Sequence, residues 1–426
     1  MRSEYILFGI YVLLSVWSIP KISFIRNTNL THFQIRLLLC FKLLSGLVLA
    51  YYFENISTNK DYLTSNAEGA LQYNLLVSNP KLFFTDFSND ITTYGFNGLF
   101  QSSNSFWAYL RFNLLYKFVA ILNLITHGNF YFNSMIFCTL AFFSHIAFFR
   151  IYYSIYKAHK WKLLLACFCL PSLFMYTACI HKDGIIFVFL GLISYVLYRL
   201  LSRLPVIKPK YIFISIISSL FIFLFRNYVF VALAPAILIG FVCLKFAHQK
   251  RYAIAACYIA FIAAFFITGV SNSSFNLPST VVQRKADFAT LDVGATNIPM
   301  NELQPNFGSF AKNLPQAINH SLLRPYLWEF PQFSVILTAV ELAFYQLLIL
   351  LFIFYRKKDG SPIHPFNIFG LALFFNMILI IGYTIPNVGA IVRYRSIYWI
   401  FLICPVICNI NWDRLLAGFN PKARIK

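Results

Sequence analysis

Two aspartates stand four residues apart in FFTDFSNDITTYGF, at Asp86 and Asp90, and on a helix that spacing puts both carboxylates on one face. Either could take the proton from an attacking hydroxyl, or the pair could hold a divalent cation through oxygen ligands. Cations gather in short polar runs elsewhere. Lys182 and Asp183 follow His181 in CIHKDGI, and Arg226 precedes Asn227 in FLFRNYVF. Arg324, Trp328 and Glu329 share SLLRPYLWEFP, and Arg393 and Arg395 alternate in GAIVRYRSIYW. The planar fork of arginine grips phosphate oxygens with two parallel hydrogen bonds, and Lys182 would add a point charge. Lys182, Arg226, Arg324, Arg393 and Arg395 thus read as ligands for a phosphate monoester or diphosphate. Asp183 and Glu329 would orient the arginines, and Trp328 could stack on a sugar ring. The structural alternatives are ion pairs of Arg393 or Arg395 with Asp183 or Glu329, and a Trp328 that anchors the chain at a membrane interface.

The elements that must position these groups are apolar. A chain of 426 residues with 59% hydrophobic content and a mean hydropathy of +0.67 has too little polar surface to cover a water-soluble fold. The expected class is an all-α polytopic integral membrane protein, a single transmembrane domain over 1–426. About eleven runs approach the ~20 apolar residues that cross hydrocarbon: 4–20, 36–53, 130–155, 162–180, 184–200, 211–225, 228–244, 253–270, 332–355, 366–385 and 396–411. The first run lacks a small-residue cleavage site and is expected to stay as a span. The nine cysteines lie in or beside apolar runs without His or carboxylate neighbours, so they read as small core residues and not as metal ligands. The only cofactor for which the pattern has room is a divalent cation.

The formal net charge is +21. One alternate set of loops, from KISFIRNTNLTHFQIR through YKAHKWK, RLLSRLPVIKPK, KFAHQKRY and RKKDG to the tail NPKARIK, with Arg150, Arg199 and Arg414 at its span ends, carries 21 of the 35 Lys and Arg but only Asp359 and Asp413 among 14 acids. By the positive-inside tendency that set is cytoplasmic, with the N-terminus outside and the C-terminus inside, so the charge reports orientation and calls for no nucleic acid. The other set includes two long loops, 54–129 and 271–331. Within the first, SFWAYLRFNLLYKFVAILNLI at 105–125 is interrupted by Arg111, Asn113 and Lys117 and predicts an interfacial helix along the bilayer. The chemically promising residues all fall on this second side. Cations there oppose the usual bias, and burial at mid-membrane costs roughly 2.5–3.5 kcal/mol each, less near the interface. An anionic partner would offset that cost.

The many-span pattern with KDG, RPYLWE and RYR on one side resembles the C-type membrane glycosyltransferases (the GT-C superfamily) and the related bacterial polysaccharide polymerases. The resemblance implies a polyprenyl-(di)phosphate sugar donor, a glycan, lipid or protein acceptor, work on the non-cytoplasmic face of a bacterial inner membrane, and a role in cell-envelope glycan assembly. It also implies a catalytic acid in the first long external loop, by position Asp86 or Asp90. The chain departs from the family pattern in spacing them D-x-x-x-D and in placing that loop after the second span. An O-antigen or exopolysaccharide polymerase or ligase would use the same groups. A flippase of lipid-linked sugars would want the same cations but also charges within the membrane, where the sequence offers chiefly Lys42 and Glu341.

Overall fold

The computed structural model describes residues 3–57, 61–101, 104–205, 208–246, 249–270, 275–290, 295–357 and 363–419. Lys358, Asp359 and the tail from 420 onward, all part of the basic set, lie outside the described residues. The described chain is helical, with isolated bridges as its only β pairing. The principal helices are α1 (Ser3–Ser18), α2 (His32–Asn55), α3 (Asp61–Ser78), α4 (Phe106–Thr126), α5 (Phe130–Ile155), α6 (Lys160–Phe168), α7 (Pro171–Tyr176), α8 (Lys182–Leu201) and α9 (Pro209–Phe225). They continue as α10 (Asn227–Lys245), α11 (Lys250–Ile267), α12 (Leu277–Ala289), α13 (Phe307–Ile318), α14 (Phe333–Tyr355), α15 (Pro365–Thr384), α16 (Val388–Ser396) and α17 (Trp399–Asn409).

Eight of these are long and apolar enough to cross a membrane: α2, α4, α5, α8, α10, α11, α14 and α15; the bent pair α16–α17, with 65° between its halves, makes a ninth if it counts as one span. The sequence predicts eleven spans without α4; four of those runs fall short, for local reasons, and α4 is added. Helices α1 and α9 are too short by a few residues. The run 162–180 is cut by Pro171, whose missing N–H and fixed φ end α6 and start α7. Run 396–411 is only the lower half of the bent pair.

Packing divides the bundle into two ends. Helices α5 and α8 run parallel, with Phe137 against Gly184 and the Ser144 hydroxyl donating to the Phe187 carbonyl at 2.6 Å. Helix α9 runs back along α8, stacking Phe221 on Phe189 and Tyr211 under Arg199. At one end Arg150 bonds the Phe24 carbonyl, Lys160 the Asn29 carbonyl and Lys357 the His159 ring, while Tyr156 meets Asn367 and Asn409. The described basic segments around 24–29, 150–160 and 357 therefore share one face. The other end gathers Glu54 with Tyr131, Tyr62 against Phe53 and His181, and the chain around 226–228.

Helix α4 begins and finishes at this second end. Near its start Trp107 meets Phe223, three residues before Arg226, and near its finish Asn123 and Thr126 bond Asn133, in the first turn of α5. Length and composition qualify α4 as a span, yet its contacts do not carry it to the basic end. Its long partner is α3, packed so closely that a Cβ on Gly69 would enter the Val119 side chain.

The two intramembrane charges of the sequence hold the short helix α7 by its ends. Glu341 accepts from the Ser172 N–H at 3.0 Å and from the Ser172 and Tyr345 hydroxyls, and Lys42 donates to the Phe174 carbonyl at 2.7 Å and to Thr177 at 2.8 Å. An acid at the amino end and a cation at the carboxyl end match the direction of the peptide dipoles.

Candidate functional site

The KDG turn builds the centre of the second end. His181 caps α8 from an extended backbone, and Asp183 in the first turn is turned inward, 3% exposed. Its carboxylate receives Arg226 at 2.8 Å, with the His181 Nδ1 at 3.1 Å and the Arg393 Nε at 3.6 Å from the second oxygen. Arg226 reaches it from the corner between α9 and α10, and Arg393 from α16, which also pairs outward with Asp61 at 3.3 Å. The Nδ1 also lies 3.3 Å from the Asp183 N–H. Burial, reinforced by Arg393 and Arg226, pushes the His181 ring down to about 4. Burial opposes the charge on Arg226, but Asp183 beside it keeps that guanidinium well above its ordinary value. Among the described residues the Nε–H of Arg226 and of Arg393 find no hydrogen-bond acceptor.

More cations crowd this centre. The Lys182 ammonium sits 3.1 Å from the centre of the Phe112 ring on α4, with no hydrogen bond or ion pair among the described residues, and Arg226, Arg111 and Arg393 act on it electrostatically. The Arg226 guanidinium lies 4.4 Å from the centre of the Tyr394 ring. The segment before α4 is pinned above them by three successive carbonyls: Leu99 accepts from Asn227, Phe100 from Arg284 at 3.1 Å and Gln101 from Arg111 at 3.4 Å. Two cavities adjoin this segment. A small apolar one of about 50 Å³ is walled by Tyr228, Tyr394, Phe288 and Ile381; a polar one of about 390 Å³ lies between residues 97–101 and α12. Phe100, Thr280 and Arg284 line both.

Lys182, Asp183, Arg226 and Arg393 are thus brought together from α8, α10 and α16, and the rest of the sequence set is not. Arg324 pairs with Glu329 at 3.2 Å within its own turn, where Glu329 also accepts from the Tyr326 N–H. Trp328 stacks flat on Tyr326 with its other face in the open, 82% exposed. Arg395, one helical turn from the α16–α17 bend, donates to the Ser321 carbonyl at 2.6 Å and lies in the field of Glu341. The backbone carbonyl of Asp86 accepts from Asn113 and Lys117. Those positions lie roughly 100° or more around α4 from Phe112, so Asp86 is on a different flank from Lys182. Asp90 lies in the helix Ser88–Tyr94, and its side chain is outside the described residues. No three His, Cys, Asp or Glu come together as metal ligands among the described residues.

Arg284 escaped the sequence reading, although a signal was there. Asn276, Thr280, Gln283, Arg284 and Asp287 recur at helical spacing and form one polar stripe, while Val281 and Phe288 lie toward the apolar cavity. No family model, no curated protein and no solved structure matches this chain.

Proposed function

We propose that the protein is an integral membrane glycosyltransferase that passes a sugar from a polyprenyl phosphate or diphosphate to a hydroxyl acceptor, at the end of the bundle opposite the basic loops. The observation that carries this reading is the charge balance at that end. Lys182, Arg226 and Arg393 gather at one buried carboxylate, Asp183, with Asp61 only at the margin. Buried like charges are costly, and a bound phosphate would complete the balance.

In the reaction the acceptor oxygen attacks the anomeric carbon, the bond from that carbon to the phosphate oxygen breaks, and the electron pair leaves with the lipid phosphate. The cation cluster stabilises the growing negative charge. A carboxylate takes the acceptor proton; Asp287, which lines the polar cavity, joins Asp86 and Asp90 as a candidate for that role. In this reading α4 lies along the membrane surface. The chain then passes between the two ends eleven times, counting α6–α7 and α16–α17 as one passage each. The basic end faces the cytoplasm of a bacterium and the cluster faces outward, as envelope glycan assembly requires.

Transport of a lipid-linked sugar is the second reading, favoured by the break between α6 and α7 beside buried Lys42 and Glu341. It ranks second because both charges are already bonded to the ends of α7. The test is binding of radiolabelled polyprenyl phosphate to the nanodisc-reconstituted protein, with polyprenol as the uncharged control. Tighter binding of the phosphate, lost in Lys182→Gln, is expected. Equal binding of the two lipids, or a Lys182→Gln protein that binds normally, refutes the reading.

A further inference from the structure

The polar cavity has a stricter chemistry than the lipid phosphate demands. One wall is the polar stripe of α12, so side chains that would face water on an isolated amphipathic helix line an open cleft beside residues 97–101. A volume of about 390 Å³ has room for a sugar residue, and its lining of Asn97, Gln101, Ser279, Thr280 and Gln283 offers both donors and acceptors for hydroxyl groups.

At the inner end stands Arg284. Its Nη1 is committed to the Phe100 carbonyl, and its guanidinium lies 5.0 Å from the centre of the Tyr228 ring. No salt bridge ties it to a carboxylate among the described residues, and Asp287, one turn along the same helix, acts on it electrostatically. Burial pulls the guanidinium below its ordinary value, and Arg226 adds repulsion. Five polar side chains of the lining therefore surround a cation that is placed where a ligand group would complete it, and that shares the Tyr228 ring with Arg226 of the Asp183 cluster.

We propose that this cavity is a subsite for an acidic sugar residue, with Arg284 binding a carboxylate or phosphate substituent on the ring and the polar stripe of α12 binding its hydroxyls. This rests on the glycosyltransferase reading for its place in catalysis, but the binding itself can be measured alone. A pyranose with an anionic substituent fits the donor set better than a neutral hexose, because a planar guanidinium takes two oxygens of either anion in parallel hydrogen bonds.

The experiment uses saturation-transfer NMR on the full chain in nanodiscs, with glucuronate, glucose 1-phosphate and glucose as probes. Either anion should bind at least tenfold more tightly than glucose, and which one binds tighter names the substituent. Arg284→Gln should remove that preference, a loss of about tenfold or more for a charge-assisted pair, and Arg284→Lys should keep part of it. Because Arg284 also holds the Phe100 carbonyl, Gln283→Leu serves as a second variant: it should weaken all three sugars together and leave the anion preference intact. Equal binding of glucose and the anions, no transfer to either anion, or an anion preference that survives in Arg284→Gln overturns the proposal. Polyprenyl phosphate binding on the same proteins separates the two readings. It should persist in Arg284→Gln, and its absence from the unmodified protein would sink the lipid-phosphate reading while leaving the sugar result to stand.

Discussion

Replacing Asp183 by Asn tests whether the cation cluster is held together by one buried charge. The carboxylate and the Arg226 guanidinium lie 2.8 Å apart with side chains 5% and 7% exposed, so little solvent screens them. Removing one partner of a buried pair typically costs about 3–5 kcal/mol, because the remaining charge keeps its desolvation penalty without its compensation. Asn keeps one acceptor oxygen for Arg226 but no charge to offset Arg393 at 3.6 Å, so the loss should lie near ~3 kcal/mol. In a chain this long that is a fall of several degrees in unfolding temperature. Fluorescence-detected unfolding in nanodiscs would compare the natural protein, Asp183→Asn, Arg226→Gln and the double variant. The double variant should be more stable than the sum of the two singles implies, by about 2 kcal/mol, since each single change strands the partner of the other. Polyprenyl phosphate should stabilise Asp183→Asn more than the natural protein, because the anion replaces the missing charge. If Asp183→Asn unfolds with the natural protein, or the two losses simply add, the account of the cluster is wrong.

The depressed His181 sets a pH dependence: its folded value of about 4 lies below the ordinary histidine value of 6.5, so protonation favours the unfolded chain. Stability from this group is complete above pH 6.5 and lost as pH falls toward 4, by up to ~3 kcal/mol. Unfolding curves between pH 8 and about 4 should show the decline, and His181→Gln should flatten it; an unchanged slope in that variant would remove His181 as the cause. Glu341→Ala should cost about 1–3 kcal/mol per stranded donor at Ser172 and Tyr345, while Glu341→Gln, which keeps an acceptor, should cost less. Equal losses in the two variants, read from their unfolding temperatures, would mean that capping α7 is not what Glu341 contributes.

Much of the architecture was legible along the chain because it depends on local quantities. Apolar run length marks the chain as a set of long helices, eight of them able to cross a membrane, and most of the Lys and Arg of the basic loops in the described residues stand within a few residues of a helix end. The interruption of α4 by Arg111, Asn113 and Lys117 predicts an interfacial helix, whereas its length and composition also suit a span. Pro171 was equally visible, but the sequence reading passed over it and drew 162–180 as one continuous span.

Which charges meet was legible only in part: a pair of Arg393 with Asp183 stood among the alternatives, but the closer pair of Asp183 with Arg226 did not. Asp183 and Arg226 are 43 residues apart, and Arg393 comes from α16 near the far end of the chain, so their contact depends on how α8, α10 and α16 pack. Arg324 and Arg395, equally eligible by type and by side, were instead taken by Glu329 in a local turn and by the Ser321 carbonyl. Arg284 joined the site only because α12 is laid over residues 97–101 of a different loop. The sequence by itself thus determined that the chain is built from apolar helices with basic loops at one end and rarer cations at the other. Tertiary structure alone decided which of those cations share a carboxylate and which are spent on backbone, because side chains a few ångströms long find partners only after helices distant in sequence have set the distances between them.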